Sequence, residues 1–252
     1  MSKSDTPLVR IADIPAALGL LSRLPVNIGG GRGAACAWAF PLTGLILGAI
    51  AAAIGGIAAA VGLSDGLTAG LALVALVVMT GAMHEDGLAD SVDGLWGGWD
   101  KIRRLEIMKD SHIGAYGVIA LVLSLILRWT ALTALAQAGI LTIGLIAVAT
   151  LSRVPMVVVM AILPHARQDG LSASVGRVEI KTAMLAVTIA AAIALVLLGW
   201  SGVPAILITG LVGTAVALIA LRKIGGQTGD ILGATQQIAE IGALMALTTA
   251  IS

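Results

Sequence analysis

Hydrophobic runs of about 20 residues recur along this chain, and each is long enough for an α-helix to cross the hydrocarbon core of a bilayer. Of the 252 residues, 58% are hydrophobic and only 12% are charged. That charged share is about half the value typical of a soluble domain. A soluble fold would need a larger core than a chain of this length can enclose. The sequence therefore predicts an all-α fold, a polytopic integral membrane helix bundle.

We predict seven transmembrane spans within one membrane-embedded domain, residues 1–252. The spans are 36–62, 66–83, 115–136, 139–162, 182–199, 203–221 and 233–251. The second, fifth and sixth are near the short limit and also fit partly re-entrant segments. Glycine and alanine pervade all seven, and such small residues let helices approach closely within lipid. Glycine-rich faces of this kind are compatible with a homo-oligomer.

Charge placement supports the odd number of spans. The Lys and Arg residues outside the spans fall in alternate connections, which are 1–35, 84–114, 163–181 and 222–232. The three short connections between them contain neither residue type. Because basic loops stay on the cytoplasmic side, the amino terminus is predicted to be cytoplasmic and the carboxyl terminus external. We expect residues 1–33 to form a cytoplasmic or interfacial segment of a cell inner membrane protein.

Seven of the fourteen carboxylates lie between Glu85 and Asp110, directly after the second predicted span. If that helix continues into the cytoplasm, Asp86, Asp90 and Asp93 fall at positions i, i+4 and i+7 on one face, with Glu85 at its edge. Crowded carboxylates are costly unless a cation neutralises them. A divalent metal with oxygen ligands would do so and could carry a phosphorylated substrate. The alternative is a solvated acidic helix end, which does not explain the spacing.

Cations follow the acids closely. Three of them, Arg103, Arg104 and Lys109, are close enough in sequence to the acids to bind the phosphate of a metal-bound substrate. Anchoring of the chain at the cytoplasmic surface explains these three residues equally well. Asp110 and Ser111 are candidates to join the metal site or to cap the third span. Residues 84–113 are therefore the predicted catalytic segment.

Two later cytoplasmic loops also look specialised. Residues 163–176 combine a cation with glycine and hydroxyl donors. Residues 223–233 are rich in glycine and precede the last span, where backbone N–H groups can bind an anion. Asp230 in this loop is either a distant metal ligand or an N-cap.

Three further candidates are Arg128, Arg153 and His84, which lie inside or at the edge of the predicted spans. A charge within the membrane is a functional-site hypothesis by default, which applies to Arg128 and Arg153. Pairing with Glu240 or with helix carbonyls is the structural alternative. His84 is interpreted as structural rather than as a metal ligand.

Five stretches together closely resemble the cobalamin synthase family, adenosylcobinamide-GDP ribazoletransferase, and they run in family order. They are 20–26 (LLSRLPV), 84–94 (HEDGLADSVDG), 104–117 (RLEIMKDSHIGAYG), 163–172 (LPHARQDGLS) and 225–234 (GGQTGDILGA). The acidic stretch is the most specific of the five. The first stretch has less aromatic character than the family's opening motif.

The resemblance implies an integral membrane, Mg²⁺-dependent enzyme at the end of the cobalamin pathway. The family joins adenosylcobinamide-GDP to α-ribazole, or its 5′-phosphate, and releases GMP. By the same resemblance, Glu85, Asp86, Asp90 and Asp93 form the metal-binding motif, and we expect Asp93 to accept the proton of the attacking hydroxyl. The expected partners are these small molecules and membrane lipid, with no nucleic acid.

Two other functions remain as alternatives. A membrane phosphotransferase of the CDP-alcohol class also carries an acidic helix face at a membrane surface. Its usual motif begins Asp-Gly-x-x-Ala-Arg, whereas this chain has Asp86-Gly-Leu-Ala-Asp90, with Asp90 in the place neighbouring that Arg. A cation-coupled transporter would place its acids near the middle of the bilayer. Release of GMP, as opposed to accumulation of substrate in vesicles, separates the enzyme from the transporter.

Overall fold

The computed structural model describes residues 7–26 and 31–250, and within them the regular structure is entirely helical, apart from one isolated bridge between His165 and Gln227. Two 3₁₀ helices cover Gly33–Ala39 and Gly199–Ser201. The α-helices are α1 Asp13–Leu21, α2 Phe40–Ala60, α3 Asp65–Thr80, α4 Met83–Gly97, α5 Lys101–Ile107, α6 Ala115–Gln137, α7 Leu141–Leu151, α8 Val154–Ile162, α9 Leu171–Val175, α10 Ile180–Leu198, α11 Gly202–Ile224 and α12 Gly229–Ala250.

Several of these helices are long and apolar enough to cross a membrane, which confirms the predicted fold class. Four stretches in the described residues meet this requirement, namely Gly33–Ala60, Ala115–Gln137, Leu141–Ile162 and Ile180–Ile224. A fifth is added if α3 and α4 are counted as one bent crossing. The predicted number of seven therefore stays a prediction.

The stretch Ile180–Ile224 is 45 residues long, about twice what one crossing needs. Its helical path is interrupted at Gly199, where φ is +57°. Residues 187–191 of α10 and 206–217 of α11 line the same cavity. The two helices therefore lie side by side, and the chain reverses between them.

α3 and α4 meet at an angle of 83°. Gly81 and Ala82 both have left-handed backbone conformations, with φ of +64° and +56°. Their N–H groups donate to the carbonyl oxygens of Val78 and Val77, which closes the end of α3. The expectation that the second helix continues straight past residue 83 is therefore wrong. α4 then packs along the first half of α6, because Asp93 contacts the first turn of α6 and Glu85 contacts Arg128 near its middle.

Glycines set the closest helix contacts, as the small-residue pattern predicted. A Cβ at Gly44 of α2 would lie 2.1 Å from the carbonyl oxygen of Ala149 in α7. A Cβ at Gly87 of α4 would lie 3.1 Å from the Cα of Gly233 in α12. α12 packs against α4, α6, α7, α8 and α11, so it occupies the centre of the bundle.

The segment before the first span packs into the bundle through α1. Leu21 of α1 joins a buried apolar cluster with Phe40, Met156 and Met160. The buried carboxylate of Asp13 accepts hydrogen bonds from Arg32 and from Trp38 Nε1, at 2.9 and 2.7 Å. These contacts fix the described part of the amino-terminal segment against α2 and α8.

Candidate active site

Two of the four acids of α4 face a third acid across a tight helix crossing. A Cβ at Gly87 would lie 2.9 Å from the carbonyl oxygen of Asp230, so the start of α12 approaches α4 here. Asp86 is exposed and Asp90 is partly buried, and in residues 7–26 and 31–250 neither carboxylate accepts a hydrogen bond. We call Asp86, Asp90 and Asp230 the acidic cluster.

The acids of the cluster repel one another. Burial, together with the charges of Asp86, Asp230 and Asp93, raises the pKa of Asp90 to about 7. Burial is also the main cause that raises the pKa of Asp230, against the opposing effect of Arg167. A cation bound among these carboxylates would relieve the repulsion.

Arg167 lies beside the cluster with unused hydrogen-bonding capacity. Its Nη2 donates to Asp230 Oδ2 at 3.1 Å. Its Nη1 is buried and has no hydrogen-bond partner among the described residues, and its Nε lies 3.7 Å from Asp169 Oδ1. A free guanidinium edge next to acids is suited to a phosphate. The sequence analysis did not single out Arg167, although it noted that residues 163–176 combine a cation with glycine and hydroxyl donors.

Asp93 turns away from the cluster and holds the start of α6. Its Oδ2 accepts from the N–H of Gly114 at 2.7 Å, and its Oδ1 accepts from the N–H of Gly117 at 2.9 Å. A carboxylate at this helix terminus satisfies N–H groups that have no partner within the helix. Of the three aspartates predicted to share one helix face, Asp93 therefore contacts α6, whereas Asp86 and Asp90 face Asp230 of α12.

Glu85 belongs to a buried polar network. Its Oε1 accepts from Arg128 Nη1 and Nη2 at 2.9 and 3.0 Å, and from Gln237 Nε2 at 3.1 Å. Arg128 also lies 3.6 Å from Glu240, while Arg153 Nη1 donates to the carbonyl oxygen of Ala149 at 2.6 Å. Both structural alternatives for the buried arginines, an ion pair and a helix carbonyl, are therefore present.

The predicted basic residues have partners of their own. Arg103 pairs with Glu106 at the surface at 3.1 Å, and Lys109 pairs with Asp169. Arg104 donates to three backbone carbonyls, those of Gly98, Trp99 and Lys223. Arg104 thus ties α5 to the ends of α4 and α11.

A polar cavity of about 490 Å³ brings many of the predicted residues together. We call it the polar cavity, and its lining includes Asp86, Asp90, Lys109, Asp110 and Ser111. The exposed Asp110 accepts from His112, and that hydrogen bond lowers the pKa of Asp110. Arg103 and Arg104 are not part of the lining.

The cluster offers some, but not all, of the ligands a metal ion needs. Across the part of the chain that the structure describes, no three His, Cys, Asp or Glu side chains are close enough to hold an ion by themselves. Mg²⁺ does not require such a cage, because it is often bound by one or two carboxylates, water and substrate phosphates. Asp86 and Asp90 fit this role. The oxygens of Asp93, and Oε1 of Glu85, already accept other hydrogen bonds.

Comparison with known proteins identifies the family. The family described as cobalamin-5-phosphate synthase matches residues 13–248. The chain belongs to this family. The resemblance inferred from the five sequence stretches is thereby confirmed.

Curated relatives of this cobalamin-5-phosphate synthase family match over nearly their whole length. A protein of Mesorhizobium japonicum named adenosylcobinamide-GDP ribazoletransferase is 43% identical over 98% of this chain and 96% of its own. Proteins with the same name from Bradyrhizobium diazoefficiens and Sinorhizobium medicae are 42% and 41% identical, and they cover 93% and 95% of this chain and 92% and 97% of their own. No solved structure matches the chain. The protein is thus an enzyme of cobalamin synthesis with a multi-pass membrane fold.

Proposed function

We propose that this protein joins adenosylcobinamide-GDP to α-ribazole, or to its 5′-phosphate, with release of GMP. The observation that carries the proposal is the acidic cluster, which lies beside the unpartnered edge of Arg167 in a member of this family. We further propose that the reaction requires Mg²⁺ and takes place on the cytoplasmic side of the inner membrane. The basic connections on the same side as α4 support that orientation.

In this mechanism Asp86 and Asp90 would hold Mg²⁺, which when bound neutralises the diphosphate and the charge that develops on the departing GMP. Arg167 binds a phosphate oxygen through Nη1, and Lys109 faces the diphosphate in the polar cavity. Positioning by these groups, without a covalent nucleophile, accounts for catalysis.

The attacking oxygen of the ribazole loses its proton to the acidic cluster. Asp93 was the expected acceptor, but its two oxygens already accept the N–H groups of Gly114 and Gly117. Neither oxygen is therefore free to accept that proton without losing a hydrogen bond that holds the start of α6. Asp93 therefore has a positioning role in this proposal, through α6.

The test is GMP release by the purified protein in lipid, from adenosylcobinamide-GDP and α-ribazole, with Mg²⁺ or with a chelator. We expect Asp86→Asn and Asp90→Asn to lower the rate at least about hundredfold, because each removes a charge that the metal needs. Asp65→Asn is the matched control, since Asp65 is exposed at the start of α3. A folded wild type that releases no GMP with any metal would disprove the proposal, and substrate uptake into vesicles would then favour the transporter.

A further inference from the structure

A second cavity, of about 150 Å³, shares Asp86 with the polar cavity. We call it the apolar cavity. Its walls are mainly apolar side chains from five helices, namely Leu21, Phe40, Met83, Met156, Met160 and Leu232. Polar groups stand at one side, where Asp86, Arg167 and Asp230 also line it. The acidic cluster thus lies between two cavities of different chemistry.

The size and lining of the apolar cavity suit an aromatic ring. Four of its apolar residues, Leu21, Phe40, Met156 and Met160, are almost fully buried. A cavity of about 150 Å³ can hold a benzene-sized ring, so it encloses one ring of a fused base and leaves the remainder in the opening. Methionine side chains adapt to irregular shapes and make favourable contacts with aromatic rings. The opening beside Asp86 leaves room for the polar part of a larger ligand.

One buried polar atom in this lining has no partner. His84 is only 1% exposed and lines the apolar cavity, and within the described ranges its Nε2 makes no hydrogen bond. Leaving such an atom unpaired is costly, and because Nε2 is closed to solvent in this conformation, the His84 ring has to turn towards the cavity before Nε2 can pair with a ligand's ring nitrogen. This makes a purely structural interpretation of His84 incomplete.

We propose that the apolar cavity binds the fused-ring base of the α-ribazole substrate, with His84 Nε2 hydrogen-bonded to the base's unsubstituted ring nitrogen. The inference rests on the proposed function, and it assigns a place to one of the two substrates. The ribose then extends past Asp86 towards the acidic cluster, while the nucleotide diphosphate occupies the polar cavity. The two reacting groups meet at Asp86, the acid of the cluster that lines both cavities.

Guanine, the other base in the reaction, fits this lining poorly. Its edge carries several donors and acceptors, and apolar walls would leave most of them unpaired. The benzimidazole base presents one ring nitrogen and two methyl groups, which match one histidine and a methionine-rich wall. The apolar wall therefore favours the benzimidazole, while Asp86, Arg167 and Asp230 at the polar side make guanine the rival ligand that the measurement with GMP tests.

The experiment is equilibrium binding of α-ribazole, and separately of GMP, to the full chain in lipid nanodiscs with Mg²⁺. Met160→Trp fills the cavity and is expected to raise the Kd for α-ribazole at least about tenfold. His84→Leu removes the hydrogen bond and is expected to raise it about fivefold, with partial recovery in His84→Gln. Met184→Trp is the matched control, because Met184 is exposed on α10. The Kd for GMP should stay unchanged in every variant, which also reports correct folding.

The alternative outcomes are distinct. If Met160→Trp and His84→Leu bind α-ribazole as tightly as the wild type does, the base binds elsewhere, and the proposed function stands without this site. If the same variants weaken GMP binding alone, the cavity holds guanine and the inference is wrong. If the wild type binds neither molecule, the proposed function fails together with the site.

Discussion

The four acids of α4 divide into two kinds by what their oxygens already bind. Glu85 and Asp93 are held by Arg128 and by the first turn of α6, at distances of 2.7 to 3.0 Å. Asp86 and Asp90 have no such hydrogen bonds within the described ranges. They line the polar cavity, as does Glu85, whose Oε2 has no partner among the described residues. Substitutions within one motif should therefore give two separable outcomes, loss of stability or loss of chemistry.

Glu85→Gln is expected to lower the free energy of unfolding by about 3–5 kcal/mol, because it leaves Arg128 buried without its nearest charge. Glu106→Gln is the matched control, and it should cost less than about 1 kcal/mol because its ion pair with Arg103 is exposed. Thermal and denaturant unfolding in lipid or detergent measure both. A stable Glu85→Gln protein that had lost its Mg²⁺ dependence would instead make Glu85 a metal ligand, as the sequence predicted.

The raised pKa of Asp90, about 7 against an ordinary value of 3.8, predicts an unusual pH dependence of stability. Between these two values the folded protein retains a proton that the unfolded chain has lost. Stability without metal should therefore fall as the pH rises through this interval. Asp90→Asn should remove the fall and be about 1–3 kcal/mol more stable than the wild type at pH 8 with chelator.

The measurement for Asp90 is unfolding at pH 5 and pH 8, with and without Mg²⁺. Added Mg²⁺ should reduce the advantage of Asp90→Asn at pH 8, because the ion stabilises the ionised wild-type cluster. Asp65→Asn, which changes an exposed acid of α3, should show neither effect. Equal stability of Asp90→Asn and wild type at pH 8 in chelator would contradict the electrostatic description of the cluster.

Among the elements, the crossing of α4 and α12 decides the geometry of the site. Gly87→Ala would place a methyl group 2.9 Å from the carbonyl oxygen of Asp230 and 3.1 Å from the Cα of Gly233, and backbone cannot yield as a side chain can. We expect α4 to shift, with a loss of about 1–3 kcal/mol of stability and a larger loss of GMP release.

The matched control for that glycine is Gly210→Ala, because no heavy atom lies within 4 Å of its added Cβ. Gly210 is inside α11, where alanine favours the helix by up to about 1 kcal/mol. Unfolding curves and initial rates of both variants give the comparison. An active, stable Gly87→Ala protein would show that the approach of α4 to α12 is not required.

The helices themselves followed from the sequence more closely than their junctions did. The predicted spans 115–136 and 182–199 agree with α6 and α10 to within two residues at each end. The sequence analysis did not predict the bend at Gly81 and Ala82. Neither hydropathy nor helical periodicity reveals that two residues adopt the left-handed conformation. Hydropathy measures what lipid accepts, whereas a bend is set by local backbone dihedral angles.

The site was predictable in its acids but not in their division of roles. Helical spacing put Glu85 at the edge of the aspartate stripe, but it could not find the partners of Glu85, because Arg128 lies 43 residues further along the chain and Gln237 lies 152 residues away. Arg167 is similarly joined to Asp230 across 63 residues. Spacing assigns a residue to a helix face, and only the packing of helices assigns that face a neighbour.

For the whole molecule, sidedness is the main prediction that the structure does not test. The seven-span arrangement puts Ser111 and Ser174 in the cytoplasm, and Ser64 and Ser201 outside, and all four are exposed. Single cysteines at these positions should therefore react with an impermeant maleimide in two groups, the external pair in intact cells and the cytoplasmic pair only after permeabilisation.

The native Cys36 supplies the background for that labelling. It is buried, with 3% exposure, so wild type should remain unlabelled. Labelling of Ser111→Cys in intact cells would reverse the predicted orientation, and labelling of Ser64→Cys and Ser111→Cys from one side would remove the crossing assigned to α3. Contact with membrane lipid and a homo-oligomer stay predictions.

The sharp junction between α3 and α4 has a mechanical consequence. Only Gly81 and Ala82 separate the apolar α3 from the acidic α4, and Asp93 ties α4 to the first turn of α6 as well. A helix that tilts to match a thinner or thicker bilayer would therefore carry the acidic helix with it. We therefore expect the rate of GMP release to change with the acyl-chain length of the lipid, because a tilt of α3 would alter the separation of α4 and α12, and initial rates in bilayers of different thickness measure this.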